Sequence, residues 1–179
     1  MARVSLIAEQ DHPELAVLIA HLTASRGGRL INLYRVLLGS PAIASAWLDF
    51  NSAVRFQTAL DPVVREIAIL RVAVLNGAEY QLRIHGADQA LKAGLTAPQV
   101  AALADWQGSN LFTPLERAVL AYADAMTQLI DVPDATYNAL GRYFNERQII
   151  ELTVLIGAYN MHTRVSRALR IDTEAAAKS

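Results

Sequence analysis

The sequence predicts an all-α fold, and three observations carry that prediction. Apolar residues recur at three-to-four spacing, as in Ile149, Leu152, Ile156 and Tyr159, or Leu115, Val119 and Tyr122. Pro13, Pro41, Pro62, Pro98, Pro114 and Pro133 all stand where a helix can begin, the position that suits a locked φ and a missing N–H. No stretch alternates apolar and polar residues for long enough to compete as a strand.

The elements follow in order. Helices are predicted over 13–25, 30–38, 41–57, 62–76, 78–93, 97–105, 114–130, 133–143 and 146–170. Ser40 and Asp61 precede their prolines as N-caps, and Asn145 opens the last helix. Thr96 with Gln99 and Thr113 with Glu116 read as capping boxes, each hydroxyl accepting from the third amide while the longer side chain reaches back. Gly39 and Gly94 stand where left-handed C-terminal residues belong. Gly27-Gly28 and the stretch 107–112 read as loops, and the alanine-rich tail after Ile171 as a frayed end. Segments 65–91 and 147–170 share a glutamate, an apolar run and a polar–aromatic break, which reads as a duplicated helical hairpin. Such an apolar hairpin cannot bury all its faces alone, and that favours a homo-oligomer.

Composition narrows the functions. A length of 179 residues fits one domain over 1–179, and 53% hydrophobic residues with 18% charged argue against disorder. Lys+Arg 16 against Asp+Glu 17 leaves a net charge of −1, so no basic excess exists to neutralise phosphates and no nucleic-acid role is expected. The chain has no cysteine, which removes disulfides, thiolate metal sites, Fe–S clusters and thiol redox catalysis. The longest charge-free apolar stretches, such as Val36–Leu48, run to about a dozen residues, short of the roughly 20 that span a bilayer. The first residues lack the apolar run of a signal peptide. A cytoplasmic protein without a membrane partner is the expectation.

The stretch Arg65–Gly94 is the most informative for chemistry. Asn76-Gly77 breaks it after an apolar run and predicts a connection between two antiparallel helices. His85 lies eight residues beyond Gly77 and Glu66 eleven before it, which brings the two to within about 4–5 Å in level. One straight helix over 62–93 would separate them by about 28 Å. Ala78, Gln81, His85 and Gln89 follow three-four-four spacing along one face, with Tyr80, Leu82, Ile84 and Leu91 on the others. Leu70, Ala73 and Gly77 share the side of Glu66, whereas Arg71 is about 140° away and points elsewhere.

Imidazole is the side chain that moves a proton easily near neutral pH, and a neighbouring carboxylate fixes its tautomer. His85 and Glu66 are therefore the candidate catalytic pair, with Gln81 as a donor to a substrate carbonyl or carboxylate. The plainer alternatives are a structural histidine at a helix interface and a glutamate favoured by the helix macrodipole. Arg164 follows Asn160 by one turn in an otherwise apolar helix, placed either to hold a substrate carboxylate or to pair with an acid across a helix interface. Glu79 and Arg83 read as a surface ion pair, and Trp47 and Trp106 as packing residues. His12, His21 and His162 show no ligand spacing, and no nucleotide loop appears, so neither a metal nor an organic cofactor is expected.

Glu66, then Asn76-Gly77-Ala78-Glu79-Tyr80-Gln81-Leu82-Arg83-Ile84-His85, then Ala93-Gly94-Leu95-Thr96, resembles the signature of the carboxymuconolactone decarboxylase and alkylhydroperoxidase-D superfamily. In the redox branch of that superfamily a glutamate precedes C-x-x-C by twelve residues, and a histidine follows. Here Glu66 to Ala78 is twelve and Ala78 to His85 is seven, but Ala78 and Gln81 replace both cysteines. The signature core spans about 41–111, and a second helical half over about 113–170, with its Tyr159-Asn160-Met161 and Arg164 ending, is similar to longer members.

The resemblance implies an alkylhydroperoxidase-D-like fold built on antiparallel helical hairpins, assembled as trimers or hexamers, with sites near subunit contacts. It excludes thiol peroxidase chemistry here, because the attacking thiolate is missing. The decarboxylase branch works without cysteines, so it is the nearer model. It implies a lyase-like, cofactor-independent acid–base enzyme for a small carboxylated or carbonyl/lactone compound, with His85 and Glu66 catalytic and Gln81, Tyr80 and Arg164 binding substrate. Two other classes stay open: a non-catalytic oligomeric small-molecule-binding or scaffold protein, and a redox role through a metal or an external thiol.

Overall fold

Caps and prolines start the helices where local chemistry places them. The computed structural model describes residues 2–25, 27–78, 82 and 89–172. Its helices are α1 (Ala16–Ala24), α2 (Asn32–Leu37), α3 (Pro41–Phe56), α4 (Pro62–Leu75), α5 (Ala90–Ala93), α6 (Ala97–Ala102), α7 (Pro114–Gln128), α8 (Asp134–Leu140) and α9 (Glu146–Ala168). Short 3-10 turns cover Glu9–Asp11, Pro13–Leu15 and Leu103–Asp105, and no strand occurs among the described residues.

Asp61 accepts the Val63 N–H at 2.8 Å, and both threonine capping boxes form at α6 and α7. Asn145 and Gln148 make a third, exchanging bonds of 3.0 and 3.1 Å ahead of α9. Gly94 takes φ +111°, as a left-handed C-terminal residue does. Gly39 does not. The chain leaves α2 through tight turns, with Gly39 N–H on Val36 O at 3.1 Å and Ser40 N–H on Leu37 O at 2.8 Å, and runs into α3 without a left-handed residue.

The chain divides into two compact units, 1–53 with 165–179, and 54–164. In the first, Leu22, Tyr34, Leu38, Trp47 and Leu48 form the buried cluster. Arg3 N–H bonds Leu169 O at 2.9 Å, and Asn32 Nδ2 donates to Asp172 O at 3.1 Å, pinning the two ends of the chain within this unit.

In the second unit α4 is the central helix. Ile67, Ala68, Ile69, Leu70, Val72 and Ala73 are all essentially inaccessible, so the helix is apolar nearly all round, as a core helix must be. It packs chiefly on α7. Arg71 carries a charge into that core: its Nε and Nη2 meet Asp124 Oδ1 and Oδ2 at 2.5 and 3.0 Å, and Nη1 donates to Leu103 O at 2.8 Å. Trp106 Nε1 donates to the same carboxylate at 3.0 Å, so this packing indole is also part of a polar anchor. Arg117 gathers the loop that follows, donating to the carbonyls of Trp106, Gln107 and Ser109 at 3.2, 3.0 and 2.8 Å.

The expected duplicated hairpin is not repeated in the second half. Gly77 takes φ +58° and ends α4, whereas α9 runs unbroken through Gly157, Tyr159 and Asn160. Gly157 keeps a negative φ, so the α9 backbone never meets the left-handed step that stops α4.

Candidate active site

The local sequence explains the break on which the site depends. Gly77 N–H bonds Val74 O at 3.1 Å and Ala78 N–H bonds Ala73 O at 2.8 Å, the paired bonds of a left-handed helix stop. Leu82 N–H then bonds Ala78 O at 3.0 Å. At the other end of the segment, a Cβ built on Gly94 would stand 3.3 Å from Val63 Cγ2. Ala90 and Leu95 join the same buried cluster as Val64 and Ile67. The chain therefore leaves α4 at its C-terminal end and is back beside its N-terminal end by Gly94.

Glu66 is placed by this return. At 100° per residue it lies about 60° from Val63, and Leu70 about 20° on the same side, so both belong to the face of α4 that Val63 turns toward Gly94. Glu66 is buried, at 7% exposure. His85, Gln81 and Tyr80, together with the Glu79–Arg83 pair, lie outside the described residues.

Arg164 belongs to another part of the second unit. Its Nη1 donates to Asn160 O at 3.1 Å and to Asn160 Oδ1 at 2.7 Å. Asn160 Nδ2 donates in turn to Thr127 Oγ1 at 3.0 Å and Ile156 O at 3.1 Å, while Asn76 Nδ2 donates to Asn160 Oδ1 at 3.0 Å. The buried amide thus ties the end of α4 to α7 and α9. Asn76 is ten residues beyond Glu66, a rise of about 15 Å. Among the described residues the partner of Arg164 is this amide one turn earlier on its own helix, not an acid across an interface. Arg71, committed to Asp124, points away from the Glu66 face.

One polar contact beside the returning chain escaped the sequence reading. Arg55, at the end of α3, donates from Nη2 to Gln89 Oε1 at 2.5 Å. The three-four-four spacing had placed Gln89 on the face of His85, but nothing local to Arg55 marks it.

The family profile of the Carboxymuconolactone decarboxylase family matches residues 41–125, which contain α4 and the reversal. Escherichia coli (strain K12) YnjA, an uncharacterized protein, is 33% identical over 129 residues, 72% of this chain and 68% of its own. The chain belongs to the carboxymuconolactone decarboxylase family. Within that family its fold is AhpD-like: it is similar to ATU0492 from Agrobacterium tumefaciens, a protein of unknown function linked by name to the antioxidant defence protein AhpD, at 25% identity and a TM-score of 0.71, over 78% of this chain and 96% of that one. The debrominase Bmp8, as a cysteine-to-alanine variant bound to 2,3,4-tribromopyrrole, shares the fold at 20% identity and a TM-score of 0.79, over 98% and 95%.

This member of the carboxymuconolactone decarboxylase family holds Ala78, a buried residue with no thiol, at the first cysteine position of the signature. No helix among the described residues is long and apolar enough to cross a membrane. Among those residues no group of three or more His, Cys, Asp or Glu side chains stands together as a metal set.

Proposed function

We propose that this protein is a cofactor-independent acid–base enzyme acting on a small carboxylated or carbonyl/lactone compound. The observation that supports the reading is the buried Glu66 on the α4 face that Val63 turns toward Gly94. In this reading His85 moves the proton, Glu66 fixes its tautomer and orientation, and Gln81 and Tyr80 bind the substrate. For a carboxylated unsaturated lactone, the bond from ring carbon to carboxylate breaks, CO2 leaves, and the electron pair enters the conjugated carbonyl. His85 then returns a proton to carbon. The substrate delocalises its own charge, so the protein supplies proton transfer and electrostatic placement. Arg164, at the Asn76 end of α4, attracts anionic substrate rather than gripping the reacting group.

The test is turnover of carboxymuconolactone, followed by CO2 release. Wild type should consume it, and His85→Gln should abolish turnover while the protein stays folded. Unchanged kinetics in His85→Gln would sink the assignment.

A homo-oligomer, trimer or hexamer, completes the proposal. Ile150, Val154 and Met161 are 63, 40 and 36% exposed and, with Gly157, follow four-three-four spacing along one side of α9, an apolar stripe of the kind a second copy covers. Light scattering that finds a monomer would remove this part.

A further inference from the structure

We propose that Arg55 is the carboxylate-recognising residue of the Glu66 site. The proposal rests on the reading that this site takes a small carboxylated compound, and it names the group that holds the carboxylate.

Position comes first. Gly94 stands opposite Val63 and α5 packs on α4, and the proposal takes this segment to run antiparallel to α4, which sets Gln89 level with residue 68. That is two residues, about 3 Å of rise, from Glu66. Gln89 receives the Arg55 guanidinium at 2.5 Å and directly precedes α5, which packs on α4. The cation therefore enters at the level of the buried carboxylate, at the opposite end of α4 from Arg164.

Donor accounting comes second. A guanidinium has five N–H donors, and Arg55 spends one of them on a neutral amide oxygen. Arg71, Arg147 and Arg35 each meet a carboxylate within 4.0 Å, and Arg117 spends its donors on three backbone carbonyls. Arg55, like Arg65 and Arg164, meets no carboxylate among the described residues, and of these three it is Arg55 whose side-chain partner, Gln89, lies on the chain returning to α4. Its carbon Cζ sits 4.9 Å over the Phe56 ring, which holds the plane from one side while Gln89 holds one edge. An arginine oriented by neutral groups, and meeting no carboxylate among the described residues, is suited to take one in two parallel hydrogen bonds.

Charge supplies the need. An anionic ligand brought beside the Glu66 carboxylate is repelled unless a cation stands at the same level, and Arg55 is placed to be that cation. A carboxylate held in this way is an anchor. A group destined to leave as CO2 is a different one, because an ion pair stabilises the carboxylate against its loss.

The experiment measures calorimetric binding of 2-furoate and its neutral counterpart 2-furamide to the full chain, as wild type, Arg55→Gln, Arg55→Lys and His85→Gln. Wild type should favour 2-furoate at least tenfold. Arg55→Gln should erase that preference through 2-furoate alone, and Arg55→Lys should lose several-fold, because an ammonium cannot make the bidentate pair. If Arg55→Gln fails to fold by circular dichroism, the Lys variant decides. Equal affinity for the two probes, no binding of 2-furoate, or an unchanged preference in the folded variants overturns the proposal. His85→Gln should keep the preference, so a failed turnover assay with an intact, Arg55-dependent preference would remove the catalytic reading and leave the carboxylate site standing.

Discussion

Val63 and Gly94 meet across the returning chain, with room for a hydrogen but not for a relaxed methyl: a Cβ on Gly94 would stand 3.3 Å from Val63 Cγ2. That contact sets Gly94 against the N-terminal part of α4, the helix that carries the buried Glu66 and ends at Gly77.

Glycine substitutions should therefore differ in sign. Gly94→Ala and Gly77→Ala force a side chain into positive φ, +111° and +58°, and each should cost about 1–2 kcal/mol. Gly157 lies inside α9 with nothing within 4 Å of a built Cβ, and Gly157→Ala should stabilise by about 0.5–1 kcal/mol. Urea unfolding midpoints measure all three. A neutral Gly94→Ala would show that the reversal does not need its left-handed residue.

Asp124→Ala should be among the most damaging changes. It strands the Arg71 guanidinium in the core and removes the acceptor of the Trp106 indole, a loss of about 3–5 kcal/mol. Unfolding followed by tryptophan fluorescence tests it, and a loss under 1 kcal/mol would mean that water replaces the carboxylate.

Asn160→Ala should cost about 1–3 kcal/mol, because its amide joins α4, α7 and α9 in a buried position. Arg164→Ala removes an exposed side chain that, among the described residues, bonds within its own helix, and should cost less than about 1 kcal/mol. Thermal melts of the two variants should separate clearly.

Glu66→Gln keeps the shape of the side chain and removes the charge that, in the proposed function, orients the imidazole. Under the proposed function, turnover of carboxymuconolactone should fall by about 10²–10⁴-fold. Steady-state rates over a pH series are the measurement, and an unaltered profile would assign Glu66 to structure alone.

Much of the fold was legible in the residues. Asp61, Thr96, Thr113 and Asn145 each start a helix as their side chains predict, since a cap acts on amides two or three positions away. Asn76-Gly77 announced the reversal for a similar reason: one left-handed glycine decides whether a helix stops. Gly39 misled because glycine permits positive φ without requiring it. The echo in α9 misled because shared apolar spacing says nothing of whether a helix is broken.

The sequence alone determined the helices, the break after α4 and the missing thiols, all of which rest on interactions within about five positions or on residue type. The tertiary structure decided the partners: Arg71 with Asp124 across 53 positions, Asn76 with Asn160 across 84, and Arg55 with Gln89 across 34. Such pairs depend on which helix faces pack and at what register, and packing is a property of the assembled core that no short window of residues contains.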